Sequence, residues 1–471
     1  MSAGGMRRRV TRIHMVGVAG AGMSGIAEVL VELGYAVSGS DLADGDVTER
    51  LRRAGVRIGP AGHDAGHVEG ADVVVVSSAI AADNPEVMAA RRAKIPVIRR
   101  AEMLAELMRA RLGVAIAGAH GKTTTTSMIG SILAHAGMDP TVVVGGKLNA
   151  VGSNARLGAS ELMVVEADES DGSFLHLSPT VAVVTNLDAE HLDHYAGGLD
   201  EIRQAFRAFL GRLPFYGLAV LCGDHPEVQA LGATLERRIV TYGFNPQVQL
   251  RAIDVRPDGP RCTFEVVGPE GSRGRHRLEM IGRHNVQNAL AALAVAEELG
   301  VAPEVAREGL ARFDGVDRRF SVRAEVAGVL VVDDYGHHPA EIAATLRGAR
   351  EAWPDRRIVV VFQPHRFTRT EQLLEEFGSA FHEAERVFVS PVHPAGEAPI
   401  EGVDEGAVVD AMRRHGHRHA EALHELDEAT SVVGEACRPG DLVIAFGAGS
   451  IGRWSAELTR HLRRNTVDGS D

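Results

Sequence analysis

The sequence predicts an α/β protein of three domains, each around a mostly parallel sheet and spanning residues 1–108, 109–322 and 323–471. Short apolar, β-branched runs recur along the chain, and each ends in a glycine turn or a polar cluster. Strands of a parallel sheet, buried on both faces, read this way. Between them lie stretches of helical length, and 471 residues suit roughly three domains. A further feature marks the middle segment: a glycine turn bearing Lys122 and Thr123 follows a buried run.

In the first segment, 13–17 reads as a strand, 23–33 as a helix and 35–39 as a strand ending at Ser40-Asp41. The turn Gly17-Val18-Ala19-Gly20-Ala21-Gly22 has the spacing G-x-x-G-x-G, not the dinucleotide G-x-G-x-x-G. Its content is a diphosphate at a helix N-terminus, in a Rossmann-like domain. The runs 73–76, opening onto Ser77-Ser78, and 96–98 supply further strands. Arg7-Arg8-Arg9 before an apolar stretch resembles a secretory signal, but four glycines interrupt that stretch and it continues through Glu28. No segment reaches the ~20 uninterrupted apolar residues of a membrane span, so a cytoplasmic protein is expected.

The second segment opens with the strand 114–117, then Gly118-Ala119-His120-Gly121-Lys122-Thr123-Thr124, then a helix over 127–135. Strand, glycine turn, Lys-Thr and helix make a P-loop. Backbone N–H groups close on phosphate oxygens, Lys122 adds charge, and Thr123 offers a hydroxyl to Mg²⁺. The usual motif needs glycine where Ile116 stands, so this is a shortened variant, and it points to ATP. The strands 162–165 and 181–185 end in Glu166-Ala167-Asp168-Glu169 and Asn186-Leu187-Asp188-Ala189-Glu190-His191. Ligands of open α/β sheets lie outside the carboxyl ends of strands, so both clusters should face the phosphates. Residues 248–281 alternate around Gly and Pro turns, suggesting an antiparallel excursion, and His284-Asn285 opens a helix to about 299.

The third segment again alternates strand and helix in a Rossmann-like pattern. The strands 329–332, 358–362, 387–389 and 442–446 each precede a polar or glycine turn, and a disordered tail is expected after about Arg464.

Mg²⁺ takes hard oxygen ligands and few of them from protein. Glu166 is the best-placed carboxylate and His191 the best neutral ligand; Asp168, Glu169, Asp188 and Asp193 are alternatives to either. Arg366 and Arg369 flank Phe367-Thr368 just past a strand end, where planar guanidinium forks suit a carboxylate. His337 and His338, adjacent before Pro339, lack metal-ligand spacing, and at least one of them is read as a substrate hydrogen-bonding group. The net charge of −13 argues against nucleic acid or an anionic membrane as partner. Cys222, Cys262 and Cys437 are too few and too scattered for a disulfide framework or a zinc cluster.

Taken together, these motifs resemble the Mur ligases, from about Ile13 to Gly452. The resemblance rests on Gly118 to Thr126, Glu166 to Phe174, Asn186 to Tyr195, His284 to Leu290 and Arg318-Arg319-Phe320. Asp333 to Pro339 and Phe362 to Thr370 resemble the alanine-adding branch in particular. The resemblance implies a UDP-sugar domain, a central ATPase and a domain for the acceptor amino acid. It implies that ATP activates the lactyl carboxylate of UDP-N-acetylmuramate as an acyl phosphate, which L-alanine attacks, in peptidoglycan precursor synthesis. A monomer or weak homodimer is expected.

On that resemblance, Gly118, Ala119, His120, Gly121, Lys122, Thr123 and Thr124 hold ATP phosphates. Thr123, Glu166 and His191 hold Mg²⁺. Asn285 lies near the adenine, while Arg319 and Asp334 reach the phosphates and ribose. Gly17, Gly20, Gly22 and Ser78 hold the UDP part; Tyr335, His337, Arg366 and Arg369 form the alanine and muramoyl side. Two departures stand out. Ala19 replaces a loop glycine common in the family, and no lysine follows Lys147, so the carbamylated lysine of several relatives has no counterpart near Phe206-Arg207. A nicotinamide dehydrogenase would leave the phosphate loop unexplained. A non-catalytic nucleotide-binding protein would leave the filled catalytic positions unexplained. A sister ligase attaching a peptide to UDP-N-acetylmuramate differs least.

Overall fold

The computed structural model describes residues 6, 9–77, 79–109, 111–148, 153–188, 195–426 and 428–467. Among them, no helix is long and apolar enough to cross a membrane. The chain forms two compact units: Met1–Asp254 with Phe264–Arg277 and Val286–Asp314, and Val255–Thr263 with Leu278–Asn285 and Gly315–Asp471. The described residues form three sheets.

The first sheet runs, in spatial order, Arg57–Ile58, Ala36–Ser40, Arg12–Val16, Val73–Val76 and Val97–Arg99, all parallel. Val16 lies opposite both Ser40 and Val76, which brings the glycine turn and the ends of two neighbouring strands to one edge. The Ala21–Glu32 helix follows that turn. It packs close against the Ser153–Arg156 strand of the second sheet: a Cβ on Gly25 would stand 2.9 Å from the Ala155 Cβ.

The second sheet has ten strands. Its parallel centre places Leu112–Ala117 between Val181–Val184 and Leu162–Glu166. Val184 faces Ala117, and Ile116 faces Glu166, so three strand ends converge where the phosphate loop begins. Residues 248–281 form three successive strands, Leu250–Asp258, Arg261–Gly268 and Gly271–Leu278. Two-residue connections such as these join strands that run in opposite directions. Periodicity left Thr141–Leu148, Ser153–Arg156, Leu218–Cys222 and Arg238–Gly243 unassigned; all are strands.

The helix after the phosphate loop spans Lys122–His135, five residues earlier than the sequence suggested. Four successive threonines disfavour a helix through their branched Cβ. Here hydroxyls return to the helix backbone: Thr126 donates to the Lys122 carbonyl at 2.8 Å and Ser127 to that of Thr123 at 2.7 Å. These satisfied hydroxyls allow Thr126 and Ser127 to be buried, whereas the Thr125 hydroxyl is buried with no hydrogen-bond partner among the described residues.

The third sheet runs Ser321–Val326, Val329–Asp334, Leu442–Phe446, Ile358–Phe362, Arg386–Val389 and Ala420–Ala422, with only the first strand antiparallel. Its strands alternate between two cores. Val332, Val360, Phe362 and Ile444 enter one, while Val331, Val359, Val361 and Val443 enter the other with Trp454. Each such side chain is worth about 1.5–3 kcal/mol when fully buried. The last helix, Ile451–Val467, continues past Arg464, where a disordered tail was expected. Trp454, Leu458 and Leu462 anchor it on the second of those cores.

Candidate functional site

The phosphate loop is shaped by two glycines that tolerate no side chain. Gly118 has φ +135°, and a Cβ there would lie 2.2 Å from the Thr185 hydroxyl. Gly121 has φ +83° and caps the Lys122–His135 helix; its Cβ would lie 2.5 Å from Asn288 Oδ1. Between them, the backbone of His120 is clasped from the adjacent strand end. Asn186 accepts from its N–H at 2.7 Å and donates to its carbonyl at 3.0 Å, while Thr185 donates to the same carbonyl at 2.6 Å. The His120 and His225 rings flank Asp188, at 3.4 and 3.5 Å, and their hydrogen bonds hold its carboxyl below the usual range.

Lys122 is turned back on its own loop. Its ammonium donates to the carbonyls of Gly118 and Ala119, at 2.7 and 3.2 Å, and to Glu169 at 2.8 Å. Burial works against the charge, but Glu169, Asp168 and Glu166 more than offset it and hold its pKa above the lysine range. Burial also raises the Glu169 carboxyl, to about 7, against the pull of Lys122. Thr123 donates to Glu166 at 2.8 Å, and Glu166 accepts from the Gly145 N–H at 2.7 Å. Lys122, Thr123 and Glu166 thus come together as the sequence suggested; Thr124 follows, buried, in the first helical turn. Glu169 had appeared only as an alternative ligand. His191 and Ser78 lie outside the described residues.

At the first sheet, Gly17 (φ +75°) and Val18 donate their N–H groups to the Ser40 carbonyl, at 2.9 and 3.0 Å. Gly20 caps the helix on which Gly22 sits. Asp41, at the position where a dinucleotide enzyme binds ribose, instead accepts from the Ala19 N–H at 2.8 Å and braces the loop. Ser40 in turn donates to Glu86, which is buried beside His14 and His67 at 3.2 and 2.7 Å. Burial would raise that carboxyl, but His14, Ser40 and His67 bring it down to about 2.

In the second unit, Arg318 and Arg319 lie over the Tyr335 ring, at 5.2 and 5.4 Å from its centre. Arg319 pairs with Glu341 at 3.3 Å. Asp334 is buried and accepts from the N–H groups of Phe320 and Gly336, both at 2.7 Å. Burial raises it to about 6, against Arg319 and these bonds. His337 Nδ1 lies 3.1 Å from the Tyr335 carbonyl, and its ring is 6.0 Å from that of His365. Burial depresses both imidazoles, to about 3 and about 4, with Arg369 adding to each shift. His365 Nδ1 is buried with no hydrogen-bond partner among the described residues.

Arg366 has φ +72°, and its Nε is bound to Glu397, which also accepts from the Thr368 N–H at 3.0 Å and hydroxyl at 2.8 Å. Arg366 has a resident carboxylate, and Arg369 stands near two imidazoles. Asn285 opens the Arg283–Glu298 helix and donates to the Ile281 carbonyl at 2.8 Å. Sequence reasoning gave no role to Glu341 or Glu397. Glu341 carried a signal, standing four residues from His337; Glu397 carried none.

A phosphate loop with its lysine and a threonine–carboxylate pair, at the strand ends of a mostly parallel sheet, defines a nucleotide-using α/β enzyme. The Mur ligase family catalytic domain matches residues 12–112, the Mur ligase middle domain 116–296, and the Mur ligase glutamate ligase domain 318–449. The UDP-N-acetylmuramate–L-alanine ligase of Anaeromyxobacter sp. (strain Fw109-5) is 55% identical, over 96% of this chain and 98% of its own. That of Myxococcus xanthus is 54% identical, over 97% and 96%. The crystal structure of the Thermotoga maritima UDP-N-acetylmuramate–alanine ligase matches with a TM-score of 0.82 at 29% identity, covering 96% of this chain and 99% of that one. The chain belongs to the Mur ligase family.

Proposed function

We propose that this chain joins L-alanine to the lactyl carboxylate of UDP-N-acetylmuramate, with conversion of ATP to ADP and phosphate, in peptidoglycan precursor synthesis. The observation that carries this reading is near-full-length identity of 55% to a ligase of that name, in a chain whose phosphate loop carries both its lysine and its threonine.

A carboxylate is a poor electrophile until activated. Transfer of the γ-phosphoryl group gives an acyl phosphate and ADP; the alanine amine then attacks, and the tetrahedral intermediate expels phosphate. Such transfer needs positioning and charge neutralisation above all. The amides after Gly118 would hold the phosphates, with Lys122 exchanging Glu169 for the transferring group. Thr123 and Glu166 put two hard oxygens 2.8 Å apart beside the loop, a donor set that suits Mg²⁺. Bound there with His191, the ion would supply charge neutralisation at the phosphates. Asn285, Arg319 and Asp334 would contact the nucleotide, and Gly17, Gly20, Gly22 and Ser78 the UDP part.

Tyr335, His337, Arg366 and Arg369 would serve the muramoyl and alanine side. His337 Nδ1 faces a carbonyl, so in the neutral ring it carries the proton and leaves Nε2 as an acceptor for the alanine ammonium. A cytoplasmic monomer or weak homodimer, with neither nucleic acid nor membrane as partner, completes the reading.

Incubation with ATP, Mg²⁺ and UDP-N-acetylmuramate, offered L-alanine or a tripeptide, tests it. UDP-N-acetylmuramoyl-alanine should form with stoichiometric ADP and phosphate. Product from the tripeptide alone would select the sister peptide ligase instead.

A further inference from the structure

Arg100 opens the Arg100–Met108 helix and has no task in the scheme above. Its guanidinium lies over the first turn of the Ala21–Glu32 helix: a Cβ on Gly22 would come 2.8 Å from one terminal nitrogen and 3.1 Å from Cδ and Cζ. Its other terminal nitrogen points to Asp168 Oδ2 at 3.9 Å, the outer edge of an ion pair. Asp168 stands between Glu166 and Glu169, the carboxylates that hold Thr123 and Lys122. Arg100 therefore bridges the glycine loop of the first sheet and the acidic strand end beside the phosphate loop.

Its donors reach solvent and meet no protein acceptor among the described residues. The side chain is only 23% exposed, yet among the described residues the guanidinium makes no hydrogen bond. Asp168 answers more to Lys122 than to Arg100. A half-buried guanidinium with five donors and one loose counter-charge lacks the paired oxygens such a group ordinarily has. Carboxylate and phosphate oxygens match its planar fork. UDP-N-acetylmuramate carries both groups, and its carboxylate must reach the nucleotide while its diphosphate stays at the first loop.

We propose that Arg100 binds an anionic oxygen of UDP-N-acetylmuramate, from the diphosphate or the lactyl carboxylate, and aligns the sugar nucleotide between the two loops. The inference rests on the function proposed above. Asp168, at 3.9 Å, is a loose counter-charge that the substrate oxygen would replace.

Arg100→Gln and Arg100→Lys in the full chain test this, through steady-state kinetics, calorimetric binding of UDP and of UDP-N-acetylmuramate, and thermal melting. Arg100→Gln should raise the KM for UDP-N-acetylmuramate at least tenfold, leave the KM for ATP within twofold, and melt as the parent does. Arg100→Lys should recover part of the loss. Equal weakening of UDP assigns the contact to the diphosphate; unchanged UDP binding assigns it to the carboxylate. Kinetic constants within twofold of the parent in Arg100→Gln would overturn the inference, as would a loss shared equally by ATP. A parent chain that forms no alanine product, yet binds UDP-N-acetylmuramate in an Arg100-dependent way, would refute the function and leave this inference standing.

Discussion

Lys122 Nζ lies 2.8 Å from Glu169 Oε1, and Glu169 is only 4% exposed. The lysine that should meet an incoming phosphate already has an anionic partner, so nucleotide binding exchanges one anion for another. An ammonium in this setting has no stable neutral alternative at ordinary pH, because three carboxylates surround it. Its charge is thus available at every turnover.

Lys122→Ala should abolish ligation while the fold persists, since the charge on the transferred phosphoryl group loses its counter-ion. Phosphate release and UDP-N-acetylmuramoyl-alanine formation measure it. A variant that keeps more than about a tenth of the parent rate, a loss under ~1.4 kcal/mol, would remove the lysine from the mechanism.

Arg369→Lys should weaken ligation by roughly ten- to a hundredfold, because a charged hydrogen bond is worth about 1.5–3 kcal/mol and lysine lacks the two-point fork. Arg366→Lys should also disturb the bond to Glu397, which holds the Thr368 N–H. Kinetics over a matrix of alanine and UDP-N-acetylmuramate concentrations would show which substrate responds. Unchanged KM values and kcat for both variants would make the pair surface charge.

Catalysis should require Mg²⁺ and no lysine carbamate. Phe206 is 1% exposed and packs on Phe174, with ring centres 5.2 Å apart, while Arg207 points to solvent. Bicarbonate depletion should leave the rate unchanged and chelation of Mg²⁺ should stop it. Reproducible rescue by bicarbonate would point to Lys94 or Lys147.

Acid should destabilise the chain partly through His276. This ring is 3% exposed and stacks 5.7 Å from Phe264; burial lowers its pKa from 6.5 to about 4. Between those values the unfolded chain binds more protons, so its contribution is complete above pH 6.5 and lost as pH falls towards 4. That amounts to on the order of 3 kcal/mol. Melting of His276→Phe should therefore fall less between pH 7.5 and pH 5 than that of the parent. Equal slopes would assign the acid response elsewhere.

Sequence alone conveyed the central strands and the phosphate loop for one physical reason: full burial leaves little choice of residue. Val73–Val76 and Val181–Val184 have apolar neighbours on both faces, and Gly118 and Gly121 occupy backbone angles that other residues avoid. Of the strands that escaped notice, Ser153–Arg156 is polar and lies at the sheet edge, but Leu218–Cys222 is interior and fully buried. The threonine run hid a helix start because branched side chains argue against one until their hydroxyl partners are known. Asp41 was visible as the acidic end of the second strand but not as a brace for Ala19, and Glu397 became legible only when folding brought it to Arg366. Pairings of this kind depend on which strand ends meet, which local spacing does not encode.

The approach of Gly25 to Ala155 bears on how such a protein can be inherited. A methyl group at residue 25 would collide with the neighbouring strand, so each position constrains the other across a segment boundary. The first two segments would then change together over generations, and a fragment ending near residue 108 would bare the helix face that Ala155 covers. Recombination that separated them would lose both, whichever nucleotide sugar the new partner preferred.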